Sequence, residues 1–395
     1  MLWFMLPPES MAHDLQFQAL LASRFLSDLA LQSLLFAVLI ATARRGGTAL
    51  EASLVGVAFL APGMLLGLFG GAVADALPKR VELAGAYLAM GALCLLLPLP
   101  IGRGFAAQLM VLFAVRVLHQ VAHPAEASAA PLVATQEKLA SANSFLSLVS
   151  FAGEVGGKAL LAPLVVGFWG ESPVTVMTGL LFLLSALRVV RFRPLLPERP
   201  MPRRVSRPHI GAVTAALHWL VRMPGAFWML MLAAMASTVG VALWMLGPQY
   251  VQQVLGVDPE HTFYVFAPAS VGVLLGLLLA IRLLHERLVA AVGFAIVSGA
   301  MSALGQISAV THVFGWALVI EPPRLSEQVE MAGLLSLFIG LGMTLAAAAT
   351  QTYVGRHVPL AIHGRVFAIL GTMKDGLAMP LLLLLGAVAA LVGVR

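Results

Sequence analysis

Residues 70–83 read GGAVADALPKRVEL. Long apolar runs flank them, LVGVAFLAPGMLLGLFGG before and ELAGAYLAMGALCLLLPLP after. A hydrocarbon core of about 30 Å is crossed by about 20 apolar residues in a helix. The stretch therefore reads as a polar turn joining two membrane spans, with Asp75, Lys79 and Arg80 gathered where the greasy sequence pauses.

The whole chain supports that reading. It has 395 residues, 60% hydrophobic and 11% charged, with a mean hydropathy of +0.95. Soluble domains carry about 25% charged residues, so this chain has too little polar surface to enclose its apolar content in water. The class is an all-α integral membrane protein, since the lipid core leaves backbone groups no partner but each other. The net charge of +6 is a sidedness signal here rather than a nucleic-acid footprint. One cysteine, Cys94, excludes an internal disulfide. The start, MLWFMLPPESMAHDL, lacks the basic region and small-residue site of a cleavable signal peptide.

Eleven spans are expected: 19–43, 51–74, 81–101, 105–127, 140–169, 174–193, 226–248, 263–284, 288–312, 331–355 and 364–394. With the amino end in the cytoplasm, the inner loops hold Lys79, Arg80, Lys138 and the arginines from 188 to 222, together with Arg282, Arg287, Arg356 and Arg365. The outer side holds Arg44, Arg45, Arg103 and Arg324 beside Glu51, Glu171, Asp258, Glu260 and Glu327. That bias predicts a multi-pass inner-membrane protein with a cytoplasmic amino terminus. Residues 194–225 form a Pro- and Arg-rich linker, whose HIGAVTAALHWLVRM segment has the spacing of a short interfacial helix. The expected organisation is an amino-terminal six-helix bundle (1–193), this linker, and a carboxy-terminal bundle of about five helices (226–395).

Six spans, a basic central loop and the Gly71-x-x-x-Asp75 turn with Lys79 and Arg80 resemble the major facilitator superfamily, although Ala76 and Pro78 depart from its motif. FLSDLALQSLLFAVLI, HPAEASAAPLVATQEKLASANSF and TQTYVGRHVPLAIHGRVFAIL resemble the branch holding lysophospholipid transporters and enterobactin-type exporters. The resemblance implies two pseudo-symmetric bundles and a cytoplasmic gate in which Asp75 meets the amino end of span 11 near Gly364 and Arg365, where a helix terminus favours a carboxylate. It also implies that spans 2 and 11, and spans 5 and 8, slide past each other. Gly63, Gly67 and Gly71 in span 2, Gly153 and Gly157 in span 5, and Gly272 and Gly276 in span 8 have the four-residue spacing that lets helices approach closely. Two features depart from the pattern. The acidic residue of span 1 would fall at Leu31, whereas this chain has Asp28. The implied twelfth span is absent before Arg395.

Charges inside spans point to a site, because one at the bilayer centre costs about 2.5–3.5 kcal/mol on insertion scales and so seeks a partner or a cavity. Span 4 carries Arg116, His119, Gln120 and His123 on one face, with Glu126 near its inner end. Span 5 carries Glu154 and Lys158, four apart. Span 1 carries Arg24 and Asp28, and span 11 carries Lys374 and Asp375. One reading makes Arg116, Glu154, His119, Gln120, His123 and Lys158 a substrate cavity, with Asp28, Glu154 and Asp375 as proton-coupling acids. The other makes them neutralised structural pairs, Glu154 with Lys158 and Asp28 with Arg24.

Enzyme chemistry has no support. HQVAH lacks the Glu of a zinc-hydrolase HExxH, and neither a GxxxxGK[ST] loop nor a GxSxG elbow is present. No metal or cofactor is expected. The expected function is secondary transport of amphipathic small molecules by alternating access, as proton-coupled export. The alternatives are lysophospholipid flipping without protons and a transport-dead, truncated homologue acting as a scaffold or sensor. The expected partners are the substrate and membrane lipids, and the chain is expected to be monomeric.

Overall fold

Apolar residues on every side of a helix leave it nowhere to lie but within other helices or in lipid, and that is how the chain is built. The computed structural model describes residues 14–66, 79–102, 104–133, 139–190, 218–258, 262–280, 286–314, 327–357 and 363–392. Among them there are helices and short connections but no strands. In order these are α1 (Leu15–Arg44), α2 (Ala49–Leu66), α3 (Lys79–Leu96), α4 (Phe105–Val133) and α5 (Leu139–Val155). A π-helical stretch, Gly156–Leu161, leads without a break into α6 (Ala162–Trp169). Then follow α7 (Glu171–Val190), α8 (Pro224–Gln253), α9 (Thr262–Ala280), α10 (Glu286–Gly305), α11 (Ile307–Phe314), α12 (Glu327–His357) and α13 (His363–Val392).

Every expected span overlaps a helix. Nine helical stretches among the described residues are long and apolar enough to cross a membrane, and Tyr264–Leu279 is a shorter apolar one. The expected span 288–312 is broken at Gln306, whose N–H turns back to Ala303 O at 3.1 Å, just past the weak helix former Gly305. Helix ends follow local chemistry. Asp14 caps α1 through Oδ1, which accepts from Gln16 and Phe17 N–H. Thr48 and Glu51 bond each other's backbone N–H groups at the start of α2, a reciprocal capping box. The α6–α7 connection turns at Gly170, whose φ of 85° suits glycine.

The residues divide into two units that do not follow chain order: 1–38 with 65–208, and 39–64 with 209–395. The expected lobes, 1–193 and 226–395, would put 39–64 in the first; its contacts put it in the second. In the first unit α3 packs on α4 and α7. A Cβ at Gly91 would sit 3.1 Å from Gly179 O, and one at Gly179 3.1 Å from Gly91 O, so these helices touch backbone to backbone. Phe17 of α1 meets Phe145 of α5 edge-on at 6.3 Å.

In the second unit α12 runs between α9 and α10. Leu230, Ala234, Ala290 and Tyr353 fill one core cluster, and Val251, Phe266, Val329 and Ile339 another. The end of α1 and all but the last turn of α2 join this unit through polar contacts. Ser53 Oγ donates to Leu382 O of α13 at 2.8 Å, and Gln249 Nε2 of α8 donates to Gly47 O at 3.0 Å. Outward stripes such as Leu180, Leu184 and Leu187, or Val271, Leu274 and Leu278, are exposed, as lipid-facing surfaces are.

The small residues expected at helix contacts can now be placed. Gly153 and Gly157 face α1, where added Cβ atoms would lie 2.7 Å from Phe25 O and 2.6 Å from Leu29 O. Gly272 and Gly276 face α12, at 1.9 Å from Leu337 O and 2.9 Å from Leu341 O. The surfaces that take these glycines are therefore α1 and α12. Gly63 is buried in α2, and Gly67 lies outside the described residues. Overpacking against rigid backbone costs about 1–3 kcal/mol, so Gly272→Ala is expected to lower the unfolding temperature in detergent. Gly85→Ala, whose Cβ would meet nothing within 4 Å, is expected to leave it unchanged or raise it.

Candidate functional site

Several charges of the first unit converge on a buried cluster built from four helices. At its centre is Arg24 of α1, with 8% of the residue exposed. Its Nη1 donates to Glu126 Oε2 of α4 at 2.7 Å, its Nη2 meets His123 Nε2 at 2.8 Å, and its Nε donates to Ser150 Oγ of α5. All three guanidinium nitrogens are thus engaged, which only the planar fork of arginine allows. Glu126 is 1% exposed. It also accepts from Tyr87 of α3 and, at 3.4 Å, from Ser27 Oγ of α1.

A second line of contacts runs beside the first. Asp28 Oδ1 lies 3.3 Å from His119 Nε2, and His119 Nδ1 lies 3.2 Å from Arg116 Nη1. Asp28 Oδ2 is 3.8 Å from Arg24 Nε and has no hydrogen-bond partner among the described residues. Leaving a buried polar atom unsatisfied costs about 1–3 kcal/mol, so this oxygen marks where a donor is wanted. His119 is buried, His123 is exposed, and Gln120 and Arg116 are half-buried.

The remaining expected site residues lie on α3, α5 and α13 or outside the described residues. Glu154 and Lys158 of α5 pair with each other at 2.6 Å, with the Glu154 side chain 46% exposed; this is the structural pairing weighed in the sequence. The other one, Asp28 with Arg24, is secondary, because Arg24 is committed to Glu126. Asp375 and Lys374 are half-buried on α13 in the second unit. Of the gate, Gly71 and Asp75 lie outside the described residues. Lys79 opens α3 and Arg365 falls in the first turn of α13, their side chains undescribed, while Arg80 is exposed.

Sequence reasoning left five members out, Ser27 among them. Glu126 was taken to sit near the end of span 4, but α4 continues to Val133 and so encloses it. The signal was available in the positions 116, 119, 123 and 126, whose spacing of three, four and three is one helix face. Arg24 was read only against its i+4 neighbour. Tyr87 and Ser150 carry no sequence signal, being common residues in apolar runs. Among the described residues no group of three His, Cys, Asp or Glu side chains is arranged to hold a metal ion.

Many apolar helices around a cluster of paired polar and charged side chains mark a multi-pass membrane protein. Residues 1–382 match the Major Facilitator Superfamily, and the chain belongs to that family. It is thus a secondary transporter rather than an enzyme. Among solved structures it is similar to a bacterial homologue of the human lysosomal transporter Spinster in an inward-facing, occupied conformation. That match has a TM-score of 0.71 and 15% identity, over 95% of this chain and 81% of that one. It is similar also to the nucleoside transporter NupG (TM-score 0.68, 13% identity, 95% and 91% covered) and to a D-xylose–proton symporter (0.66, 13%, 93% and 88%). At such identities the likeness is one of fold. No curated protein sequence matches the chain.

Breaking a buried pair by removing one partner costs about 3–5 kcal/mol, whereas replacing both with apolar groups costs far less. Glu126→Leu alone is therefore expected to destabilise the protein by that amount. Arg24→Met added to it should restore most of the loss, as measured by SDS-induced unfolding in mixed micelles.

Proposed function

We propose that the chain moves amphipathic small molecules across the inner membrane by alternating access, coupled to protons at the cluster on α1 and α4. The observation that carries this reading is Asp28. Its carboxylate sits inside a helix bundle with one oxygen held by His119 and the other without a donor. A buried carboxylate is held in either protonation state by what surrounds it, and the Asp28–His119 pair has room for one more proton. Glu154 is less suited to the role, being paired with Lys158 and the more exposed of the two.

The substrate site in this reading is Arg116 with the half-buried Gln120 and exposed His123 of the same helix. A guanidinium suits a phosphate or carboxylate head group, with the tail lying along hydrocarbon. Lysophospholipids have that form, and this is what favours them. For a cationic amphiphile, export would follow from competition with the proton at Asp28. The excess of Lys and Arg in alternate loops supports a cytoplasmic amino end. The bundles of residues 1–193 and 226–395 rock in turn, with the Asp75 turn closing the cytoplasmic side. The contact of α2 with α13, through Ser53 and Leu382, lies toward the opposite, outer end of these helices, ties the two halves of the sequence and has to part when the protein opens outward.

The test is reconstitution into vesicles with an imposed pH gradient, comparing labelled lysophospholipid with a cationic dye. The wild-type protein should carry at least one of them in response to the gradient. Asp28→Asn should abolish gradient-driven flux while keeping exchange of labelled for unlabelled substrate. Glu154→Gln and Asp375→Asn in the same assay rank the three acids. Undiminished gradient-driven flux in Asp28→Asn would remove the coupling role assigned here.

A further inference from the structure

Residues 218–222, HWLVR, form a helical turn that runs into α8 through Met223, whose N–H donates back to Trp219 O at 3.0 Å. Leu220 packs inward against the cluster of Ala226, Leu230, Val289 and Tyr353. Val221 and Arg222 are exposed, as is Trp228 one turn into α8. An inward leucine beside an outward valine and arginine is the pattern of a segment lying at a membrane surface.

Arg287 reaches the same place from the first turn of α10. Its guanidinium carbon lies 5.5 Å from the centre of the Tyr353 ring, within cation–π range, and its Nη2 donates to Tyr353 Oη at 3.2 Å. Tyr353 is buried on α12, so a rigid side chain anchors the fork. A Cβ at Gly225 would lie 2.8 Å from Arg287 Nη2 and 3.0 Å from Tyr353 Oη. The pair therefore rests against the first turn of α8, in a notch that only glycine leaves open. Arg287 is exposed all the same. Arg222 stands three residues before Gly225, so their α-carbons are no more than about 11 Å apart.

Like signs meet at this point. A helix amino end is electropositive, that of α8 has no side-chain cap, and two arginines stand beside it. Glu286, in the first turn of α10, offsets one of them. We propose that Arg287 and Arg222 together hold the phosphate of an anionic phospholipid, in the leaflet that is cytoplasmic in the orientation proposed above. Guanidinium forks suit phosphate oxygens. The neighbouring residues favour a lipid over a dissolved phosphate. Val221 precedes Arg222 and Leu288 follows Arg287, at 78% and 65% exposure, so each arginine adjoins an apolar side chain turned outward. Trp228 is 67% exposed and lies about 6 Å further along α8 than Pro224. Charges at the helix ends and an indole one turn further in match the order of head group and interface in a bilayer. A zwitterionic lipid fits less well, because the cations that attract its phosphate repel its ammonium group. The site uses none of the residues on α1 and α4 and does not rest on the transport reading.

The test uses the full chain in a non-ionic detergent, with bound lipids counted by native mass spectrometry. Wild-type protein should bind one phosphatidylglycerol at least about tenfold more tightly than phosphatidylcholine of the same acyl chains, the factor expected for a charge-assisted contact. An excess of glycerol phosphate, which carries the phosphate without the chains, should not displace it. Arg287→Gln and Arg222→Gln should each reduce the preference by about tenfold. Tyr353→Phe keeps the ring and loses the hydroxyl, and should reduce it less than Arg287→Gln does. Arg188→Gln removes the same charge from α7 and should leave it unchanged. No wild-type preference for phosphatidylglycerol, its displacement by glycerol phosphate, or an equal loss in Arg188→Gln would overturn the proposal. The preference is read first on the wild-type protein, and Arg222 is exposed, so a misfolded Arg287→Gln does not obscure the answer.

Discussion

The contact between Arg24 and Glu126 is the constraint around which the first unit is arranged. Neither charge has water to solvate it, and a buried ion left alone costs several kcal/mol. Each therefore recruits every donor or acceptor that neighbouring helices can offer: Ser27 from α1, Tyr87 from α3, His123 from α4 and Ser150 from α5. Apolar side chains pack in many registers at similar energy, but a guanidinium fork does not. Those contacts fix the depth and rotation of four helices against one another. They also fix the position of Asp28 and His119, which sit one turn away along α1 and α4 and inherit the alignment.

The second unit reaches specificity by another route. Among its described residues the close contacts are made by what is missing. Gly272 and Gly340 bring α9 and α12 together, with an added Cβ at Gly340 falling 2.1 Å from Ala269 O. Gly293 and Gly342 do the same for α10 and α12, each against the other's carbonyl oxygen at 2.6 and 2.5 Å. Backbones that approach this closely gain dispersion contact without a hydrophobic driving force, which lipid does not supply. Polar side chains there mostly return to their own helix, as Thr238 to Ala234 O and Thr344 to Gly340 O.

What the sequence showed and what it hid follow from this difference. Helix positions were legible because about 20 apolar residues are needed for each crossing, and Pro62, Pro248, Pro268 and Pro380 did not break them. Proline inside a membrane helix is tolerated where neighbours satisfy the freed carbonyl. The face of α4 carrying Arg116, His119 and His123 was legible by spacing. The partners were not. Spacing along one helix says nothing of which residue on another helix stands opposite, so the Arg24–Asp28 pair, present at 3.8 Å, was legible and the closer contact of Arg24 with Glu126 was not. The grouping of 39–64 with residues from 209 onward was hidden for the same reason, since Ser53 and Leu382 are 329 residues apart.

The π-helical stretch Gly156–Leu161 has a consequence for how α5 can evolve. A π turn holds one residue more than the α-helix around it, and each residue turns an α-helix by about 100°. Deleting any one residue there would let the chain relax into continuous α-helix with α6 facing nearly as it does now, because six residues wound as a π-helix turn the chain about as far as five wound as an α-helix. The extra residue is in effect slack that the wider turn takes up, so Gly153 keeps its seat on α1 while α6 keeps its aim. A lineage can gain or lose a residue at this point of the crossing without re-registering either half.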